Sequence, residues 1–191
     1  FEHLMFGGSV NIPDYDTHVQ NAGGENNAWT NNDITNYYIT LPLQNVETAF
    51  WLESDRMLSL DFNEKSLEVQ RQVVIEEFKQ RNLNQPYGDT SHIVRDMAYK
   101  VHPYKWPTIG KEISHIENAT MEDVRSFFFS HYAPNNAILA VTGNISFEET
   151  IAMAEKWFGP IQRRDVIKRN LIKEPEQLQE RRETVERNVP V

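Results

Sequence analysis

The sequence predicts an α+β fold, and three observations carry that reading. Residues 26–30 and 35–41 alternate in polarity and carry aromatic and β-branched side chains, so they are expected to pair as a hairpin. Several longer stretches repeat apolar residues at helical spacing behind good capping residues. A short apolar run at 136–142, flanked by turn chemistry, is expected to be a buried strand.

Taken in order, residues 1–6 read as the remainder of a helix closed by Gly7-Gly8-Ser9, where glycine readily takes a left-handed cap. Asn11-Ile12-Pro13-Asp14 is turn chemistry, and Asp16 is the expected cap of a short helix through Asn21, stopped by Gly23-Gly24. Asn31-Asn32-Asp33 supplies the hairpin turn. An amphipathic helix is expected over about 45–60, with Val46, Ala49, Phe50, Leu52 and Met57 as core candidates. Asn63 caps a long helix over about 64–82, and Pro86-Tyr87-Gly88-Asp89 separates it from another over 90–100. Pro103 and Pro107 make 102–110 a loop. Thr120 and Asp123 have capping-box spacing, opening a helix that ends near Pro134. Ser146 caps a last helix, which Gly159-Pro160 ends. From Gln162 onward the chain is charged and weakly periodic, as in a linker.

Composition narrows the function. With 191 residues, 39% hydrophobic content, 10 Phe, 7 Tyr and 4 Trp, the chain can build a proper core. Its formal charge of −9 argues against nucleic-acid binding, which needs clustered Lys and Arg to neutralise phosphates. Zero cysteines exclude disulfides and thiolate zinc ligands and leave the compartment open. No run approaches the roughly 20 apolar residues of a membrane span.

The chemistry concentrates at Glu2-His3 and at Glu76-Glu77. An inverted zinc motif, His-x-x-Glu-His, needs a distant carboxylate as third ligand. The first His of that motif would stand two residues before Phe1, outside this sequence. Four residues apart on a helix, two His share a face and can reach one ion, whereas the Glu one position from His3 lies off that face. Such a carboxylate suits a base that holds and deprotonates a water on the metal. The acidic pair interrupts the apolar run Val73-Val74-Ile75 and Phe78, so one of the two lies beside the core, and either can be the third ligand. His18, His92, His102, His115 and His131 lack ligand spacing and read as surface or loop residues.

These segments together resemble a known family. Phe-Glu-His-Leu-Met-Phe-Gly-Gly-Ser at the start, Asn-Ala-Gly-Gly-Glu-Asn-Asn-Ala-Trp-Thr from Asn21, Thr-Asn-Tyr-Tyr from Thr35 and Gln-Arg-Gln-Val-Val-Ile-Glu-Glu from Gln70 come in order. His102-Pro103-Tyr104, Thr108-Ile109-Gly110 and Tyr132-Ala133-Pro134-Asn135-Asn136 follow. The pattern is similar to the pitrilysin-like inverzincin zinc peptidases, relatives of insulin-degrading enzyme and the mitochondrial processing peptidase, over nearly all of residues 1–160.

The resemblance implies a zinc metalloendopeptidase with Glu2 as catalytic base and His3 and Glu77 as zinc ligands. Gln70 stands where many members carry an accessory Glu that orients the site. Asn27 and Ala28 match residues beside the scissile bond, on an edge strand that pairs with the peptide substrate. The expected fold is a two-layer α/β sandwich, mainly antiparallel, with helices packed on one face. Residues 1–161 would be a truncated N-terminal peptidase domain and 162–191 a linker or strand toward a second homologous domain. Lacking the first zinc His, this stretch alone is expected to be inactive. The alternative is a non-catalytic homologue that serves as a binding or assembly subunit.

Overall fold

The computed structural model describes residues 1–188, whose elements in chain order are a 3₁₀ turn at Glu2–Phe6, α1 (Tyr15–Asn21), β1 (Glu25–Thr30), β2 (Thr35–Thr40), α2 (Val46–Ser59) and α3 (Glu64–Phe78). A π-helical turn at Lys79–Leu83, α4 (Thr90–Ala98), α5 (Ile113–Glu117), α6 (Met121–His131) and α7 (Phe147–Phe158) follow. They fall into two compact units. The first comprises Phe1–Thr30, Ile34–Leu67 and Thr120–Ile167; the second comprises Asn31–Asp33, Glu68–Ala119 and the chain from Lys168 onward.

In the first unit the expected hairpin forms. β1 and β2 are antiparallel, with Glu25 opposite Thr40 and Thr30 opposite Thr35. The cap of α1 is Asp14, whose Oδ1 accepts from Thr17 N–H at 3.1 Å. Asp16, the expected cap, lies in the first turn, where a negative charge suits the helix dipole. The expected capping box of Thr120 with Asp123 forms, the expected cap Ser146 forms a second one with Glu149, and Asn63 Oδ1 accepts from Ser66 N–H at 3.0 Å. Each such cap contributes about 1 kcal/mol.

The first unit's core has two clusters. Ile12, Tyr15, Val19 and Leu52 pack with Phe6, Ile39 and Trp51; Met5, Leu60 and Phe128 pack with Phe1, Tyr37, Phe62 and Tyr132. Leu52 is fully buried, which stabilises by about 1.5–3 kcal/mol. Of the core candidates on α2, Phe50 and Leu52 are buried, and Val46, Ala49 and Met57 are half-buried.

The strand expected at 136–142 does not form. Residues 134–136 make a 3₁₀ turn and 137–142 have no regular structure, with Ile138 97% and Leu139 50% exposed. A strand holds only where a neighbour takes its N–H and C=O groups. Among the described residues β1 and β2 make the whole sheet, so this apolar run has no ladder to join. The α+β character and the antiparallel pairing hold at that reduced size.

In the second unit, Arg71 on α3 donates from Nη2 to Ala119 O at 2.6 Å and from Nε to Ile116 O at 3.3 Å, fastening α3 to the end of α5. Residues 162–188 have no helix or strand. From Lys168 they are nonetheless tied to the second unit by charge. The Glu174 carboxylate accepts from the backbone N–H groups of Lys100, Val101 and His102 at 2.6, 3.0 and 2.9 Å. Arg181 donates to the carbonyls of Met97 and Ala98 at the end of α4, which that helix leaves unsatisfied. The last three residues of the expected 162–191 linker lie outside the described residues.

Candidate active site

The segment that carries Glu2 and His3 is a 3₁₀ turn where the sequence suggests the end of an α-helix: Gly7 N–H bonds to Leu4 O at 3.1 Å, three residues back. The left-handed residue is Gly8, at φ +89°, while Gly7 stays at φ −72°. A Cβ at Gly8 would sit 2.6 Å from Ile12 O and 2.7 Å from Pro13 O, so only glycine fits. Val10 N–H then bonds to Ser59 O at 2.8 Å, and Ser9 Oγ donates to Asp55, docking the turn on the end of α2.

Arg56 braces the same turn from below, a feature that apolar periodicity on α2 does not flag. Its side chain is 2% exposed. Nη2 and Nε donate to Glu53 at 2.6 and 2.9 Å, and Nη1 reaches Met5 O at 3.3 Å. The guanidinium lies 4.5, 4.6 and 5.5 Å from the ring centres of Tyr37, Tyr15 and Phe6. Burial opposes its charge, but Glu53 and the two phenols more than offset that, and its pKa ends raised. Removing one partner of a buried pair strands the other. Arg56→Met should therefore cost about 3–5 kcal/mol of stability. Urea denaturation followed by tryptophan fluorescence checks this, and an unchanged midpoint would contradict it.

Glu2 is held at the end of β1, where Thr30 Oγ1 donates to its Oε2. Thr30 lies 3.2 Å, hydroxyl to hydroxyl, from Thr35 across the hairpin. The fold thus brings Glu2 to the strand that also carries Asn27 and Ala28. Those two oppose Tyr38 and Tyr37, and Asn27 Oδ1 accepts from Ala28 N–H at 2.8 Å. Among the described residues β1 has β2 as its sole strand partner, leaving its other edge open.

Glu77 belongs to the second unit. Its side chain is 28% exposed and pairs with Arg81 at 2.7 Å, whereas Glu76, at 59%, points to solvent and pairs with Lys79 at 2.6 Å. Gln70, two turns earlier, is half-buried like Glu77, as residues sharing a helix face should be. Among the described residues no three His, Asp or Glu side chains are gathered to hold a metal ion. A complete zinc site needs three or four protein or water ligands.

Two family models match. That of the insulinase family of peptidases, peptidase family M16, covers residues 1–112, and that of the peptidase M16 inactive domain covers 118–190. This chain belongs to peptidase family M16. It is 34% identical over 180 residues to the zinc protease PqqE of Helicobacter pylori, covering 92% of this chain and 40% of that protein. With the mitochondrial-processing peptidase subunit beta of Caenorhabditis elegans it shares 26% identity, over 86% of this chain and 36% of the relative. Among solved structures, a protease from Helicobacter pylori superposes with a TM-score of 0.82 at 32% identity, over 91% of this chain and 43% of that one. The periplasmic protease PqqL of Escherichia coli, at 22% identity and TM-score 0.78, over 88% of this chain and 20% of that one, shares the fold. The chain thus spans about 40% of the length of the first curated relatives it matches. The family is one of peptidases, and its zinc-protease members carry zinc in their names.

Proposed function

We propose that the full-length protein carrying this chain is a zinc metalloendopeptidase in which Glu2 is the catalytic base and His3 and Glu77 are two of the protein zinc ligands. The observation that carries the reading is that all three lie within residues 1–112, the stretch matching the insulinase model rather than the inactive-domain model. When bound, zinc supplies the Lewis acidity that makes water a nucleophile near neutral pH. Glu2 takes the proton from that water as it attacks a peptide carbonyl, then passes it to the leaving amine.

The substrate backbone adds to the open edge of β1, with Asn27 and Ala28 beside the scissile bond. Gln70 steadies the Glu77 side chain through its amide. In the full-length protein a second homologous domain closes over the peptide, reached through residues 162–191, and residues 137–142 join a layered α/β sandwich. The half-buried setting of Glu77 and the solvent-facing one of Glu76 support this choice of ligand.

One observation favours a second reading, a non-catalytic binding or assembly subunit: residues 118–190 match the inactive-domain model. The residue two positions before Phe1 in the full-length protein separates the two. Peptide mapping or gene sequencing should find His there. Any other residue would remove the zinc motif and leave the subunit reading.

A further inference from the structure

We infer that residues 174–187 are a strap that charge holds along α4 and that completes this helix, so that strap and helix loosen together when the charges are screened. Strap and α4 both lie in the second unit. The inference goes beyond the peptidase reading and does not depend on it.

α4 has little of its own to stand on. It is nine residues long, none of them is buried, and its N-cap residue Asp89 makes no side-chain capping bond. Helices shorter than about 12–15 residues are marginal in water unless something packs on them. The strap supplies what is missing at both ends. Arg181 Nη1 donates to Met97 O at 2.5 Å and to Ala98 O at 2.9 Å. That takes up carbonyls of the last turn and sets a cation at the negative end of the helix dipole. At the other end, Arg187 Nε donates to Asp89 Oδ2 at 3.0 Å. Just beyond α4, the Glu174 carboxylate gathers the successive N–H groups of Lys100, Val101 and His102. Backbone N–H groups turned to one point in this way make a nest for an anion.

The ties run in reverse order along the helix: Glu174 beyond its last turn, Arg181 on that turn, Arg187 before the first. Charge holds them, with little help from apolar packing. Leu178 is 82% exposed, and from 174 to 187 the residues that are not exposed are Glu174, Arg181 and Val185. Ionic contacts near a surface are weak singly. Strung on one short segment they reinforce one another, because each tie keeps the next pair of groups close. The same property makes the strap releasable, since the screening length falls from about 10 Å at 0.1 M salt to about 3 Å at 1 M.

Hydrogen exchange read by mass spectrometry on the full-length protein tests this. In Glu174→Gln the amides of 100–102 should exchange about tenfold faster. So should Tyr99 N–H, bonded to Arg95 O in the last turn of α4, and Ile93 N–H, bonded to Asp89 O in the first, which Glu174 does not touch. Arg187→Ala should act in the opposite direction along the helix and speed exchange at 100–102. Arg181→Lys keeps the cation and should retain most of the protection. Raising NaCl from about 0.05 to about 1 M should release strap and α4 in the wild type, with α6 and α7 unchanged, so the outcome does not hang on a variant that folds poorly. Acceleration confined to the residues beside each substitution, or wild-type exchange in α4 that is indifferent to salt or no more sensitive to it than α6 and α7, would overturn the strap. None of these measurements uses peptide hydrolysis, so their failure leaves the peptidase reading standing.

Discussion

Glu2→Gln in the full-length protein should lower peptide hydrolysis by about 10²–10⁴-fold while zinc content stays near that of the wild type. The amide keeps the size of the side chain and can still hydrogen-bond with Thr30, so the turn Glu2–Phe6 and its docking on α2 are preserved. What disappears is the capacity to take a proton from water. His3 is the adjacent residue, and its imidazole is untouched by the change. Kinetics on a fluorogenic peptide, paired with metal analysis of the same preparation, reads both quantities. Loss of the metal would make Glu2 a ligand; retained turnover would mean the base lies elsewhere.

The second large effect separates two neighbouring carboxylates. Glu77→Gln should lose most of the bound zinc and with it the activity, because a neutral amide binds zinc far less readily than a carboxylate. Glu76→Gln should keep both. Adjacent helical positions point about 100° apart, so the two side chains cannot serve the same ion from one face. Both are ion-paired along the helix, but Glu76 is 59% exposed and Glu77 28%. Equal retention of zinc in the two variants, or loss confined to Glu76→Gln, would shift the ligand by one position.

What the sequence made legible was local. Thr120 and Asp123 are three residues apart, so their capping box follows from spacing, and Ser146 stands out as a cap ahead of the last helix. The hairpin was legible because its turn, Asn31-Asn32-Asp33, joins two alternating strands directly. Less was legible where the deciding partner is remote. Asp14 displaced Asp16 as the cap of α1 by a choice of turn geometry that both residues suit chemically. The run at 137–142 has the composition of a strand, but composition cannot supply the neighbour that a strand requires.

The candidate site divides in the same way. Glu2, His3 and the acidic pair stand out through their motif. Thr30 carries no signal of its own, since 28 residues separate it from Glu2. Arg56 left one trace, its place four residues after the fully buried Leu52 on the same face of α2. Its ion partner Glu53 is local, but the rings of Tyr15 and Tyr37 that complete its enclosure come from α1 and β2.

Zinc content and peptide turnover, measured together on the purified full-length protein before and after chelation, decide whether it is a zinc-dependent peptidase. Stoichiometric zinc in the active protein is expected, with loss of hydrolysis when the metal is stripped and recovery when zinc alone is returned. Hydrolysis that survives complete removal of zinc, or a fully zinc-loaded protein that cleaves no peptide, would contradict it.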